Sequence, residues 1–305
     1  MENIAAIIIW YNPKTLGQEK IIENINSYSS YFSKLYIIDN SKDSNQDLAD
    51  KISNSKYIQN FNEHGIAGAQ NKGCEAALKD NFKWAITLDQ DSLFKKEELE
   101  KYLTKFNEYR LKDDSIKSFS IKILNNNKPI AISKIIRFKI LSPIKKIILG
   151  KHYQPKIDNQ DSEIIYPLDV IASGNIISLE TWEQVGKFDN YYFIDEVDSN
   201  FCHKLLDSNY KIIRFNNIFL EHCLGEKTIS LFEKHTGNHN NFRLFYIFRN
   251  CFIERYRYQK YRKEYNKRIR NYLFDTIINS IHPLSHLYIF FKAYFAYKKY
   301  IKSLK

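Results

Sequence analysis

Trp84-Ala85-Ile86-Thr87-Leu88-Asp89-Gln90-Asp91 is an apolar run that stops abruptly in two carboxylates one residue apart. The run has the composition of a buried strand, and the acidic pair marks its carboxyl end. Alternate residues of an extended chain point the same way, so Asp89 and Asp91 can aim together at one hard divalent cation. Oxygen ligands suit Mg²⁺ or Mn²⁺. Taken alone, an Asp-x-Asp triplet also describes a strand running into a solvated acidic turn. Its neighbours separate the two readings.

Upstream, strand-like and helix-like segments alternate. Ile4 to Tyr11 is a continuous apolar run ending at Asn12-Pro13, and Thr15 to Tyr28 has helical spacing through Leu16, Ile21, Ile22 and Ile25. A strand at Leu35 to Asn40, a helix near Asp47 to Ile52, a short strand at Lys56 to Asn60 and a helix from about Gly68 to Leu78 follow. This repetition predicts an α/β fold with a mostly parallel, twisted sheet, helices on both faces, and ligands gathered beyond the carboxyl ends of the strands. Polar residues at those ends are the site candidates: Tyr11 and Asn12, then Asp39, Asn40 and Ser41, then Asn62 to Gly73. Asp39 can accept from a base or ribose, or cap a turn. Gly65 and Gly68 let the backbone approach a ligand and present amides at a helix start. Neither a Walker loop nor a Gly-x-Gly-x-x-Gly fingerprint is present.

The 305 residues, 44% hydrophobic and 15% aromatic, suffice for one large domain or a domain with an appendage. Cys74, Cys202, Cys223 and Cys251 lack a Cys-x-x-Cys pair, which argues against a zinc ribbon or a disulfide framework and fits a reducing compartment. Met1-Glu2-Asn3-Ile4 offers no basic n-region, so a secretory signal is not expected and the cytoplasm is the default address. Charge is uneven. Residues 255–305 carry 13 Lys/Arg and 2 Asp/Glu, which accounts for the whole net charge of +11. Within that tail the aromatic stretch Leu284 to Tyr297 is broken by Lys292, too short to span a bilayer, and suited to helices lying on an anionic membrane surface at the inner face of the cell membrane. Basic residues among tyrosines also suit nucleic acid, but no nucleic-acid fold motif accompanies them and none is expected as partner. A solvated helical bundle is the plain alternative. Residues 1–228 are read as the catalytic domain and 229–305 as a basic, aromatic-rich helical region.

The ordered set Tyr11-Asn12, Ile38-Asp39-Asn40-Ser41, Asn62-x-x-Gly65-Ile66-Ala67-x-Ala69-x-Asn71-x-Gly73 and Leu88-Asp89-Gln90-Asp91 resembles the family 2 glycosyltransferases. The later segments Ala172-Ser173-Gly174-Asn175, Val185-Gly186-x-Phe188-Asp189, Phe193-Ile194-Asp195-Glu196-Val197-Asp198 and Glu221-His222-x-Leu224-Gly225 are similar to the rhamnosyltransferase branch in particular. The resemblance covers roughly residues 4–250. It implies a GT-A fold, with its Rossmann-like mixed sheet, and inverting transfer from a diphosphonucleoside sugar.

By that resemblance Tyr11, Asn12, Asp39, Asn40, Gly65, Ala69, Asn71, Asp89, Gln90 and Arg249 bind the donor, with Asp39 on the base and Asp89 near the donor sugar and nucleotide. Asp91 holds Mg²⁺ or Mn²⁺ bridging the diphosphate, with His222 as a further ligand. Departure of the diphosphate builds charge that a cation offsets, and an inverting displacement needs one base opposite the leaving group. Asp198 is taken as that base, with Asp195 three residues earlier on the same side of a helix start; two capping carboxylates would look alike. Lys204 stands where the family carries arginine, and Asn200 where it carries an acid. Arg243, Tyr246, Arg249 and Asn250 resemble a downstream segment whose arginine clamps the diphosphate or pins the tail. Residues Lys112 to Pro167, including Ile135 to Gly150, read as an acceptor-facing insertion or edge. The expected partners are dTDP-L-rhamnose, or another dTDP- or UDP-sugar, and a lipid-linked glycan acceptor in bacterial surface polysaccharide synthesis. A nucleotidyltransferase would want a Gly-rich, basic loop where Asn12-Pro13-Lys14-Thr15-Leu16-Gly17 stands, and a non-catalytic membrane scaffold would leave the strand-end carboxylates idle.

Overall fold

The computed structural model describes residues 3–15, 17–124, 162–222, 241–279 and 283–304. The chain divides into two compact units, residues 1–126 with 162–226, and residues 127–161 with 227–305. The boundary expected at 228/229 and the segment Ile135 to Gly150 lie outside the described residues.

In the first unit the strands are β1 (Ile4–Trp10), β2 (Lys34–Asp39), β3 (Ser55–Gln59), β4 (Trp84–Asp89), β5 (Ser92–Leu93), β6 (Ile116–Leu124), β7 (Ile164–Ile165), β8 (Asn175–Ser178) and β9 (Lys211–His222). Between them run α1 (Gln18–Ser29), α2 (Gln46–Ala49), α3 (Gly65–Lys79), α4 (Lys96–Lys112), α5 (Leu179–Gln184) and α6 (Val197–Asp207). The sheet order is β3-β2-β1-β4-β8-β6-β9-β5, with β7 beside β9. The expected parallel sheet holds for β3-β2-β1-β4. Beyond β4 the sheet is mixed: β8 runs antiparallel to both β4 and β6, and β6 runs parallel to β9. A four-residue strand such as β8 carries too little periodicity to announce its direction.

The apolar runs make central strands because both faces are covered. Ala6, Ile8 and Trp10 of β1 pack with Ile21, Ile25 and Tyr28 of α1 and with Leu99, Tyr102 and Phe106 of α4. On the opposite face lies α3, where a Cβ on Gly73 would come within 2.3 Å of Ile7 Cγ2. Glycine there lets helix and sheet approach more closely than any side chain allows. α1 begins later than Thr15, because Pro13–Thr15 forms a 3-10 turn and Gly17 adopts φ +89°.

In the second unit α7 (Asn241–Arg257) packs on α9 (Pro283–Ser303) through aromatic side chains, with Phe248 to Phe290 at 5.1 Å and Phe252 to Tyr294 at 5.4 Å between ring centroids. α8 (Arg262–Asn279) lies between them in sequence. Cys74, Cys202 and Cys251 are buried, as ordinary small apolar residues would be.

Candidate active site

The chain passes outward from β1 to β2 and β3, then crosses to β4 on the other side of β1. That reversal opens a crevice at the carboxyl ends of β1 and β4, where open α/β sheets take their ligands. Register sets Trp10 beside Asp39 and Ile9 beside Asp89, so the strand-end residues share one edge. Gln90 closes the crevice floor. Its Oε1 accepts from Tyr11 N–H at 2.9 Å and its Nε2 donates to Tyr11 O at 3.2 Å, an amide standing in for one further rung of the ladder. The Tyr11 ring is exposed, and Asn12, in the left-handed region at φ +48°, donates its N–H to Ser41 Oγ at 2.8 Å.

Asp39 has no exposed surface. One oxygen accepts from Ser41 N–H at 2.8 Å, and the other from Asn45 Nδ2 at 2.7 Å and Tyr57 hydroxyl at 2.8 Å. Burial of the tyrosine, with the Asp39 charge adding, pushes its ionisation up. A base reaching Asp39 would have to replace one of these donors. Asn40 is likewise committed: Nδ2 donates to Gly65 O at 3.1 Å and Oδ1 accepts from Asn60 Nδ2 at 2.6 Å.

The segment leading into α3 is strained, with Phe61, Asn62, His64 and Gly65 all at positive φ. Facing it is a second strained segment, Phe193, Asp195 and Glu196. Phe193 O accepts from Ile66 N–H at 2.7 Å, so the α3 start is satisfied by this loop, and a Cβ on Gly65 would lie 2.4 Å from that same oxygen. Such conformations cost of order 1 kcal/mol each and persist where surrounding contacts over-determine them. Asn71, read as a donor ligand, sews the two segments together. Its Oδ1 accepts from Phe188 N–H at 3.0 Å, and its Nδ2 donates to Phe188 O and Asn190 Oδ1 at 2.8 Å each. Ala69 is buried beside it in α3.

Asp195 and Asp198 do not share a helix side. α6 begins at Val197 behind a left-handed Glu196, which leaves Asp195 in the loop at φ +61° and Asp198 in the first turn. Asp198 Oδ2 accepts from Ala172 N–H at 3.0 Å. Burial raises its pKa to about 7; the bonds from its own and the Ala172 backbone oppose this, and the carboxylates of Glu196 and Asp89 add to it. The Ala172 amide that bonds Asp198 belongs to a segment also bonded to Thr87 of β4, which brings the end of β4 near the start of α6. Ala172-Ser173-Gly174-Asn175 is the tie between them. Gly174, at φ +77°, donates its N–H to Thr87 O at 2.8 Å, Thr87 Oγ1 bonds Ala172 O at 2.5 Å, and Ser173 Oγ meets Ser92 Oγ at 2.8 Å. That segment carries family resemblance in the sequence, where nothing marks it as part of the site.

Asp89 and Asp91 are partly buried at the crevice. Beneath them the hydroxyl of Tyr28 is buried with no hydrogen-bond partner; burial, then the Asp91 and Asp89 charges, push its ionisation well up. Among the described residues no three His, Cys, Asp or Glu side chains form a ready cation cage. Two carboxylates nevertheless fit a hard cation whose remaining ligands are phosphate oxygens and water, the usual way Mg²⁺ is held. Strand β9 pairs with β6 along its length and with β5 on its other edge at its carboxyl end, which sets the His222 backbone opposite Ser92, one residue past Asp91. The His222 side chain lies outside the described residues, as do Leu224 and Gly225. Arg249 belongs to the second unit, buried in α7, with its guanidinium 4.6 Å from the Tyr246 ring centroid and donating to Asn250 Oδ1 at 2.9 Å.

The parallel half-sheet, its antiparallel continuation and the crevice at the sheet reversal are those of an α/β fold of the GT-A type. The chain belongs to glycosyl transferase family 2, whose model matches residues 6–159. Over 260 residues it is 27% identical to the dTDP-rhamnosyl transferase RfbF of Shigella flexneri, covering 82% of this chain and 79% of that protein. Its fold is shared with S. aureus TarS at a TM-score of 0.51 and 13% identity, over 83% of this chain and 39% of that one. GalNAc-T7, solved with UDP, GalNAc and Mn²⁺, gives a TM-score of 0.51 and 14% identity, over 72% of this chain and 43% of that one. The chain thus spans about two fifths of the length of each of these two structures.

Proposed function

We propose that this glycosyltransferase transfers L-rhamnose, with inversion, from dTDP-L-rhamnose to a lipid-linked glycan at the inner face of the cell membrane. The observation that carries the reaction type is Asp198: a partly buried carboxylate, pushed up to about 7, across the crevice from the Asp89-x-Asp91 pair. A base is most effective when its pKa lies near the working pH. The donor assignment rests on the dTDP-rhamnosyl transferase RfbF relative, and another dTDP- or UDP-sugar is the second reading. The acceptor rests on the basic tail of residues 255–305. Among the described residues no helix is long and apolar enough to cross a membrane.

In this reading Asp198 takes the proton from the acceptor hydroxyl as that oxygen bonds the anomeric carbon and the bond from that carbon to the diphosphate breaks. Ala172 N–H fixes the carboxylate through Oδ2. Asp91, with Asp89 beside it and His222 on the adjoining strand, would hold Mg²⁺ or Mn²⁺. Once bound, the cation would offset charge developing on the departing diphosphate. Asp39 holds the base edge, and Asp195 orients the acceptor from its strained loop. Thermal shift with dTDP or UDP, in Mn²⁺, Mg²⁺ or EDTA, tests the donor site. Metal-dependent stabilisation in the wild type, absent in Asp91→Ala, supports it; no response to any diphosphonucleoside overturns it.

A further inference from the structure

Helix α9 has two apolar sides, and among the described residues only one is packed. Ile289, Ala293, Tyr297 and Ile301, four residues apart, are buried, and Tyr297 packs on Phe252 of α7 with ring centroids 5.7 Å apart. On the other side Leu284, Tyr288, Phe291 and Phe295 are 81%, 66%, 49% and 67% exposed. Their spacing of four, three and four residues draws one continuous stripe along the helix. A solvent-facing helix side is ordinarily polar, and a contiguous exposed apolar patch signals a contact surface. Lys298, Lys299 and Lys302, all exposed, extend the same side toward the carboxyl end, and exposed Lys292 flanks it.

We propose that this stripe is the surface by which the second unit lies on an anionic lipid bilayer. The inference rests on, and makes specific, the reading of a membrane-borne acceptor. Leu284, Tyr288, Phe291 and Phe295 enter the boundary between headgroups and acyl chains, while the lysines meet lipid phosphates. Charge decides among occupants. With 13 basic and 2 acidic residues in 255–305, a second copy of this chain would bring like charge against like, whereas an anionic surface neutralises it. Single-stranded nucleic acid would favour basic residues interleaved along the aromatic line; here the line is apolar for three turns and the lysines follow or flank it.

Co-sedimentation of the full chain with vesicles tests this, using phosphatidylcholine alone and an equimolar mixture with phosphatidylglycerol. The wild type is expected to partition onto the mixed vesicles, release in high salt, and ignore phosphatidylcholine. Phe291→Ser/Phe295→Ser should weaken partitioning by about ten-fold or more, since each buried aromatic contributes more than 1 kcal/mol. Lys298→Glu/Lys302→Glu should abolish the preference for the anionic lipid. The proposal is overturned if the wild type stays in solution or the serine pair partitions like it. Stronger binding to single-stranded RNA than to vesicles, or a dimer that the serine pair dissolves, overturns it too. Metal-dependent stabilisation by dTDP, measured on the same samples, verifies folding. Failure of the wild type to bind vesicles with that response intact sinks this inference alone, and absence of the response in wild type sinks the donor reading.

Discussion

Two acids, one buried at the end of β2 and one partly buried at the start of α6, meet opposite fates in this molecule. Asp39 accepts from Ser41, Asn45 and Tyr57, and its resting geometry is complete. Asp198 is bonded from outside its own helix by the Ala172 amide, but burial first, and then the negative charges of Glu196 and Asp89, leave its charged form disfavoured. A satisfied carboxylate builds structure and must be opened before it can read a ligand. An under-satisfied one is ready to take a proton. With Asp198 as the proposed base, cost and chemistry fall on different residues of the crevice, in line with the pattern that perturbed acids mark reaction sites.

Substituting the under-satisfied acid breaks the comparison most severely. Asp198→Asn should lower kcat by about a hundred-fold or more, the scale of a lost general base, with nucleotide binding retained. Its stability should move the other way. A carboxyl whose folded pKa, about 7, exceeds the ordinary 3.8 binds its proton more tightly when folded, so that stabilisation is present at low pH and is lost as pH rises toward and through 7. Asp198→Asn should therefore match the wild type near pH 4 and exceed it by about 1–2 kcal/mol at pH 8, a value reduced for partial exposure. Equal stability at both pH values would remove Asp198 as a raised acid. The wild-type transfer rate should climb as pH passes 7.

Asp39→Ala tests the satisfied member. It strands Asn45 Nδ2, the Ser41 amide and the Tyr57 hydroxyl, so unfolding stability should fall by about 1–3 kcal/mol in urea titration. A neutral result would mean that water replaces the carboxylate at no cost. The smallest effect sharpens the contrast. If a base N–H must displace the Tyr57 hydroxyl from Asp39, then Tyr57→Phe should bind dTDP a few-fold more tightly, near 1 kcal/mol for one net hydrogen bond. Weaker binding in calorimetry would instead make Tyr57 part of the base contact.

The first half of the fold was legible because its chemistry is local. Ile4 to Trp10 and Trp84 to Asp89 are continuous apolar runs, and burial on both faces asks for little else. The sheet beyond β4 was not legible. β5, β7 and β8 are two to four residues long, and β9 keeps β6 along one edge while taking β7 and then β5 along the other. The paired reading of Asp195 and Asp198 assumed a helix that began earlier; two left-handed residues, Asp195 and Glu196, delay it, and no apolar pattern reports a positive φ.

From sequence alone came the strand ends, the acidic residues standing on them, and the concentration of positive charge in the tail, because periodicity and charge are properties of neighbours along the chain. Tertiary structure alone decided what those groups can still do. Asn71 is spent on a loop 117 residues away, Asp39 is closed by Tyr57 from the next strand, and Asp198 is held by an amide 26 residues before it. Whether a polar group is free for a ligand depends on which donors and acceptors the fold delivers to it, and the donors that settle this arrive from distant segments.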